Sequence, residues 1–295
     1  MVTVLTAGHI NWDVTLRVDQ FPEPDGEVAI RSRQQSGGGS AANVAVACSA
    51  LEVDTGLIGS VGDDDTGLLA RRELEDAAVD IDGVRIVEDA ETAVKYIVVD
   101  DAGEVALLGN DGVNEAVGPE DLNPERIDAA DHVHLTSQRP DTAGRLAQLA
   151  SESDATVSVD PGRRLAERDY STALEHADII FLTDREAESV LESSYPASTY
   201  NDRLVVIKYG GDGAEIHSPG GSIRHPGFDI DPVDTTGAGD AFAAGFIATS
   251  LGTDDLEAVL EFANACGALA ASAEGARITP TAATVEAFLE EQTLE

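Results

Sequence analysis

The sequence predicts an α/β fold: a mostly parallel sheet with helices on both faces, carrying a small β lid near its N-terminus. Three observations predict it. From about Asp131 onward, short apolar strands alternate with helical stretches, the pattern of strands joined by crossover helices. Two earlier segments instead alternate polar and apolar residues around turn signals, as half-exposed hairpins do. Glycine runs open directly into Ala-rich stretches near Ser40 and Ala241.

Taken in order, residues 2–7 form a short apolar run closed by Gly8, and read as a buried strand. Residues 14–36 alternate around the turn at Pro22 to Gly26 and read as the first hairpin. Residues 40–51 are rich in Ala and Val and read as a buried helix. Residues 57–61 read as a strand, and 67–77 as a charged amphipathic helix. A second hairpin pairs 92–100 with 104–108 around Asp101, Ala102 and Gly103. The strands 132–136, 156–159, 179–182 and 204–208 follow, with helical stretches at 142–151 and 185–191 between them. Two Ala-rich helices, 241–251 and 256–273, end the chain in this reading. The whole is expected to be one domain, 1–295, with lid segments at about 14–36 and 92–112. Two exposed hairpins that cannot pack on the main sheet suggest a lid, and a homodimer formed lid to lid.

Charge narrows the partners. The 295 residues include 56 acidic and 18 basic side chains, a formal net charge of -38, and Lys95 and Lys208 are the only lysines. Such a field repels nucleic acid and anionic membrane surfaces. At about 1 M salt the Debye length falls to ~3 Å and the self-repulsion largely vanishes. The composition is that of salt-in halophiles. Cys48 and Cys266 lie far apart in runs of small residues and read as reduced, buried small hydrophobes. No signal-peptide pattern and no apolar run of ~20 residues is seen, so a soluble, cytoplasmic protein is expected.

The chemistry concentrates in Asp234-Thr235-Thr236-Gly237-Ala238-Gly239-Asp240. The small residues let backbone amides of Gly237, Ala238 and Gly239 face a ligand, and the following helix adds its positive dipole end, which makes an anion site. Asp240, in the first turn, stands where a carboxylate could take a proton from a hydroxyl attacking a docked phosphoryl group. The plainer alternative is an N-capping aspartate behind a glycine turn.

The longer string, with Ala241 and Phe242 behind it, resembles the C-terminal signature of the PfkB (ribokinase-like) family of carbohydrate kinases. It is neither a P-loop nor a dinucleotide fingerprint. Residues 37–45, Gly-Gly-Gly-Ser-Ala-Ala-Asn-Val-Ala, resemble the first signature of that family, and 8–13 its first strand end. The resemblance runs from Gly8 to about Gly275. It implies a ribokinase-like three-layer α/β/α sandwich with a mostly parallel central sheet and a small β lid. It implies Asp240 as catalytic base, with Gly237, Ala238 and Gly239 as the anion hole. Asn11, Asp13, Gly38, Gly39 and Asn43 would hold the sugar. ATP would lie along Thr183, Lys208, Gly210 and Gly213 toward Asn264, with Gly275 in the closing loop. Mg2+ would sit near Glu186 through water, and a monovalent cation such as K+ at Asp234 and Thr236. The family usually has Asn where this chain has Thr183.

In so acidic a chain, cations near the strand ends suggest an anionic substrate. Lys95, Gln138, Arg139 and Arg163, with Arg31 or Arg33 on the first hairpin, are the candidates. The expected substrate is a sugar phosphate, ribose 1-phosphate giving ribose 1,5-bisphosphate, with fructose phosphates next. Free ribose, a nucleoside and 2-keto-3-deoxygluconate are the alternatives, as are arginines that merely balance acids or bind ATP. A non-catalytic sugar or nucleotide sensor is the competing class, and an NAD-dependent enzyme a weaker one.

Overall fold

The computed structural model describes residues 3–192, 202–273 and 280–293. The N-terminal part runs β1 (Val4–Ala7), β2 (Asn11–Val18), β3 (Ile30–Gly38), α1 (Ser40–Ala50), β4 (Thr55–Gly62), α2 (Asp65–Asp76), β5 (Asp80–Val87), β6 (Ala93–Val99) and β7 (Val105–Gly109). From there α3 (Pro124–Asp128), β8 (His132–Leu135), α4 (Pro140–Glu152), β9 (Thr156–Val159), α5 (Ser171–Glu175), β10 (Ile179–Thr183) and α6 (Asp184–Glu192) alternate. Last come β11 (Leu204–Lys208), β12 (Ala214–Ser218), β13 (Gly221–His225), α7 (Ala238–Ser250), α8 (Leu256–Ala271) and α9 (Ala282–Thr293).

Among the described residues, nine strands form the main sheet in the order β13-β12-β11-β10-β9-β8-β1-β4-β5. From β11 to β5 all pairings are parallel, while β12 and β13 add an antiparallel edge. The strands are apolar on both faces because helices cover both. Side-chain alternation sends Leu5, Ala7, Val133, Leu135, Ile180 and Leu182 to one core with α4 and α5. Val4, Ile179, Phe181 and Val206 go to the other, against α1, α7 and α8. His132 and His134, fully buried on β8, bracket the Ser158 hydroxyl at 2.7 Å each. Burial holds them neutral, lowering their pKa to about 3 and about 4.

Strand order reverses at β1: the chain goes to β4 and β5 on one side, then to β8, β9, β10 and β11 on the other. Ligands bind outside the carboxyl ends of strands at such a switch point. Residues after β1, β8, β9, β10 and β11 therefore converge there.

The two early hairpins do not remain separate. They join through a parallel pairing of β2 with β6 into one four-stranded sheet, β3-β2-β6-β7. One side of it is anchored, as Trp12 and Val14 pack against α1 and α2 with Leu16 beside them, while Ile30, Val105, Leu107 and Leu108 are exposed.

Several elements were not foreseen, among them the short helices α3 and α5. β5 extends the far edge of the main sheet, and β12 and β13 form a hairpin whose turn signal, Pro219 with Gly220, is plain in retrospect. The chain does not end with two helices, because α9 packs on α8 through Val285, Phe288 and Leu289. Gly275 lies outside the described residues.

Candidate active site

Two helices begin at this edge behind a glycine and without a side-chain cap. α1 starts behind Gly39 (φ 94°) and α7 behind Gly237 (φ 79°), both in backbone regions that favour glycine. The helices pack on one another and are tied across their first turns: Asn43 Nδ2 donates to Asp240 Oδ2 at 2.8 Å. Asn43 is thus a partner of the carboxylate as well as a candidate for a sugar hydroxyl. Burial is the largest influence on Asp240 and pushes its pKa up to about 6. The Asn43 bond opposes this, the nearby Asp160 charge adds to it, and Lys208 and Ser40 moderate it. A carboxylate so poised suits general-base work near neutral pH. The amide of Ala238 is already taken by the Thr235 carbonyl at 3.2 Å, so the bare stretch is narrower than the three amides expected.

Beside α7 opens a cleft of about 1250 Å3, lined among others by Thr183, Glu186, Lys208, Gly213, Gly239 and Asn264. Gly210 also lines it. Lys208, at the end of β11, reaches to Asp160 Oδ2 at 2.6 Å, and that ion pair is largely buried. Burial alone would lower the ammonium pKa; Asp160, with Asp240 and Glu186 behind it, more than offsets this and holds it raised. Asp160 was missed in the sequence because it looks like a turn residue before Pro161, and its partner is 48 positions away.

Thr183 has a local partner at the start of α6. Its hydroxyl accepts from Glu186 N at 3.3 Å, and Glu186 Oε2 accepts from Thr183 N at 2.8 Å. This is a capping box starting α6. Asn264 is buried on α8, where Nδ2 donates to the Leu260 carbonyl at 2.7 Å. Asp234 Oδ1 accepts from Thr236 N at 2.9 Å in the loop leading to α7. No group of three or more His, Cys, Asp or Glu residues that could hold a metal occurs among the described residues.

On the other side of Asp240 lie the residues read as sugar ligands. A methyl group at Gly38 would land on the Asp13 carboxylate, and one at Gly39 on the His9 carbonyl. Buried Asn11 has its side-chain oxygen held by Asn114 Nδ2 at 2.6 Å. Lys95 is the register partner of Asp13 across β2 and β6. Gln138 is buried and donates to the Ala7 carbonyl at 3.3 Å.

Some predicted cations are elsewhere. Arg139 folds back on exposed Asp141, two residues on, where the two oxygens of one carboxylate take its fork of N–H groups. Arg31 pairs likewise with exposed Asp19, and Arg33 is exposed. Arg163 lines the large cleft with Thr183 and Lys208, not the Asp13 side. Its neighbour Arg164 turns the other way, to Glu115 and Asp111. Asn114, Glu115 and Arg168 carry no short-range signal, and Arg164 only its place after β9 beside Arg163. They meet only because the loop after β7 crosses the ends of β1, β8 and β9.

A family model for "pfkB family carbohydrate kinase" matches residues 1–283. The chain is 66% identical over 294 residues to the ATP-dependent ribose-1-phosphate kinase of Halopiger xanaduensis, covering 99% of each. It superposes on the nucleoside kinase of Methanocaldococcus jannaschii with a TM-score of 0.89 at 27% identity, covering 99% of both chains. Arabidopsis thaliana ribokinase complexed with ribose and ATP matches at a TM-score of 0.86 over 98% of this chain and 99% of that one, at 22% identity, a likeness of fold.

Proposed function

Since the chain belongs to the pfkB family of carbohydrate kinases, we propose that it transfers the γ-phosphoryl of ATP to the primary hydroxyl of ribose 1-phosphate, giving ribose 1,5-bisphosphate. It is an ATP-dependent carbohydrate kinase. The observation that carries the chemistry is Asp240, raised to about 6 and standing between Asn43 and the Lys208–Asp160 pair at the start of α7. The substrate rests on the 66% identical relative.

In this reading the sugar lies against Asn11, Asp13, Gly38, Gly39 and Asn43, and the nucleotide in the large cleft from Gly210 and Gly213 toward Asn264. Asp240 accepts the hydroxyl proton as the O–P bond forms and the bond from the γ-phosphorus to the bridging oxygen of ADP breaks. Amides at the start of α7 and the Lys208 ammonium stabilise the charge spreading over the transferring group. Mg2+ fits with few protein ligands, because one oxygen of Glu186 is spent on its cap; it would be held by ATP oxygens and water near Glu186. It supplies neutralisation of the phosphate charge. K+ at the Asp234 and Thr236 loop would stiffen the approach to α7. The smaller sheet is the lid. Exposed Val105 and Leu107 share a face with Asp13 and Lys95 by register, and a lid-to-lid homodimer would cover them.

The test is ADP release at molar KCl with ribose 1-phosphate, ribose, adenosine and fructose 6-phosphate. A kcat/KM for ribose 1-phosphate at least 100-fold above the others is expected. Equal or better use of ribose or adenosine would refute the substrate, and no turnover with any sugar would favour a sensor.

A further inference from the structure

The side of the site away from the nucleotide holds a charged group that the transfer step above does not use. Glu115 Oε1 accepts from Arg164 Nη1 at 2.7 Å and from Arg168 Nη1 at 2.6 Å. Arg168 also donates to the Gln138 carbonyl at 3.3 Å, and the Tyr170 hydroxyl to the same oxygen at 2.7 Å, so this arginine belongs to the frame. Arg164 is different. Its second nitrogen reaches out to both oxygens of Asp111 at 3.1 Å, and Asp111 is 69% exposed. That bond joins a guanidinium near the switch point to an acid at the end of the smaller sheet. It is exposed to water and of the kind that contributes little.

His9 completes the group. It follows β1 directly, and its side chain is only 9% exposed. Its Nε2 has no hydrogen-bond partner and stands 3.7 Å from Glu115 Oε1, too far for one. A buried ring nitrogen left so is costly unless something arrives to use it. Glu115 beside the ring holds Arg164, which in turn holds Asp111, Lys95 faces Asp13 across β2 and β6, and the charges of all four reach the imidazole. Burial and Arg164 keep the imidazole neutral, with its pKa lowered to about 4, so it can still offer one N–H donor.

We propose that Arg164 and His9, with Lys95 from the lid sheet, form the subsite for the phosphate that the substrate already carries, and that Asp111 is the anion this phosphate displaces from Arg164. The proposal rests on the sugar-phosphate reading above. Guanidinium recognition is bidentate and suits phosphate oxygens. The two adjacent arginines then divide the work: Arg163 faces the nucleotide cleft, and Arg164 the phosphate at the opposite end of the sugar. Glu115, held by Arg168 as well, stays in place as the brace that aims Arg164.

Calorimetric titration of the full chain with ribose 1-phosphate and with ribose, in molar KCl without ATP, tests it. Arg164→Gln is expected to weaken ribose 1-phosphate binding at least 30-fold and ribose binding no more than threefold, with Arg164→Lys in between. Arg163→Gln should leave ribose 1-phosphate within threefold and raise the KM for ATP. Asp111→Asn, at an exposed position that cannot disturb the core, should tighten ribose 1-phosphate two- to fivefold. If the native chain binds ribose 1-phosphate and Arg164→Gln binds it within threefold, the subsite is wrong while the substrate stands. If the native chain binds none, the substrate reading falls and the subsite with it. Weaker binding by Asp111→Asn would make Asp111 a ligand, not a competitor, and overturn its assigned part.

Discussion

The starts of α1 and α7 look alike and are built for different purposes. Both follow a glycine at positive φ, both lack a side-chain cap, and both point into one site, joined by Asn43 and Asp240. By contrast, α2 and α8 are capped in the ordinary way, by Asp64 and Asp255, and the other uncapped starts, α4 and α5, follow Arg139 and Tyr170 and not a glycine. The difference lies in what surrounds the glycines. At α1 the space a side chain would take is already filled by Asp13 and by the His9 backbone. At α7 a methyl on Gly239 would meet only the Lys208 ammonium, at an ordinary 3.7 Å. The first glycines are there because the protein itself is close; the second leaves room for something that comes and goes.

The largest effect should come from the link between the two helices. Asp240→Asn is expected to lower kcat about 1000-fold with substrate binding within a few fold, read by ADP release and titration. The same change should raise stability. The pKa of Asp240 is raised on folding, from 3.8 to about 6. Its contribution is therefore fully present below about pH 3.8 and is lost as pH rises through about 6. Asparagine mimics the protonated form, so at pH 7.5 the variant should melt higher, and the gain should vanish near pH 4. In the native enzyme kcat should fall as pH drops through about 6. Near-normal turnover by Asp240→Asn would break the comparison, since α7 would then carry no base.

Next in size are the glycines. Gly39→Ala forces an L residue to φ 94° and a methyl onto a backbone carbonyl, and should cost several kcal/mol, lowering the melting temperature and all activity together. Gly239→Ala should do the reverse to stability, since alanine in a helix is favoured by roughly 0.5–1 kcal/mol, yet raise the KM for ATP or lower kcat by 10- to 100-fold. Two curves settle it: thermal melts and ATP kinetics in the same salt. An unchanged ATP response in Gly239→Ala would mean that the phosphoryl group does not land there.

The same contrast explains what the sequence made legible. The α7 start was readable because its pattern is local: glycine, small residue, glycine and acid in one turn. The parallel strands were readable because both faces are buried, so Ile179 to Leu182 or Val205 to Ile207 are continuous apolar runs. Edge strands such as β5, half polar and paired on one side, gave no such run. Nor did the partners of Asp160 and Arg164 announce themselves. Each lies about 50 residues away in the chain, and no periodicity encodes a meeting at a sheet edge. Gly38 shows the limit from the other direction: it was read as room for a sugar, and the space beside it belongs first to Asp13.

The smallest expected effect sharpens the comparison from outside both helices. α6 also begins at the nucleotide cleft, but unlike α1 and α7 it is capped, by Thr183 and Glu186. If that cap is the whole task of residue 183, Thr183→Asn should be nearly silent, because asparagine caps at least as well as threonine. Stability should change by under about 0.5 kcal/mol, and kcat/KM for ATP by less than threefold. Thr183→Ala, which removes the acceptor for Glu186 N, should cost about 1 kcal/mol and release Glu186 from its fixed geometry, with a rise in the Mg2+ concentration needed for half-maximal rate. A tenfold gain in ATP kinetics for Thr183→Asn would show that an amide at this position touches the nucleotide or its metal. The start of α6 would then join the two glycine-led starts as a third ligand-facing end.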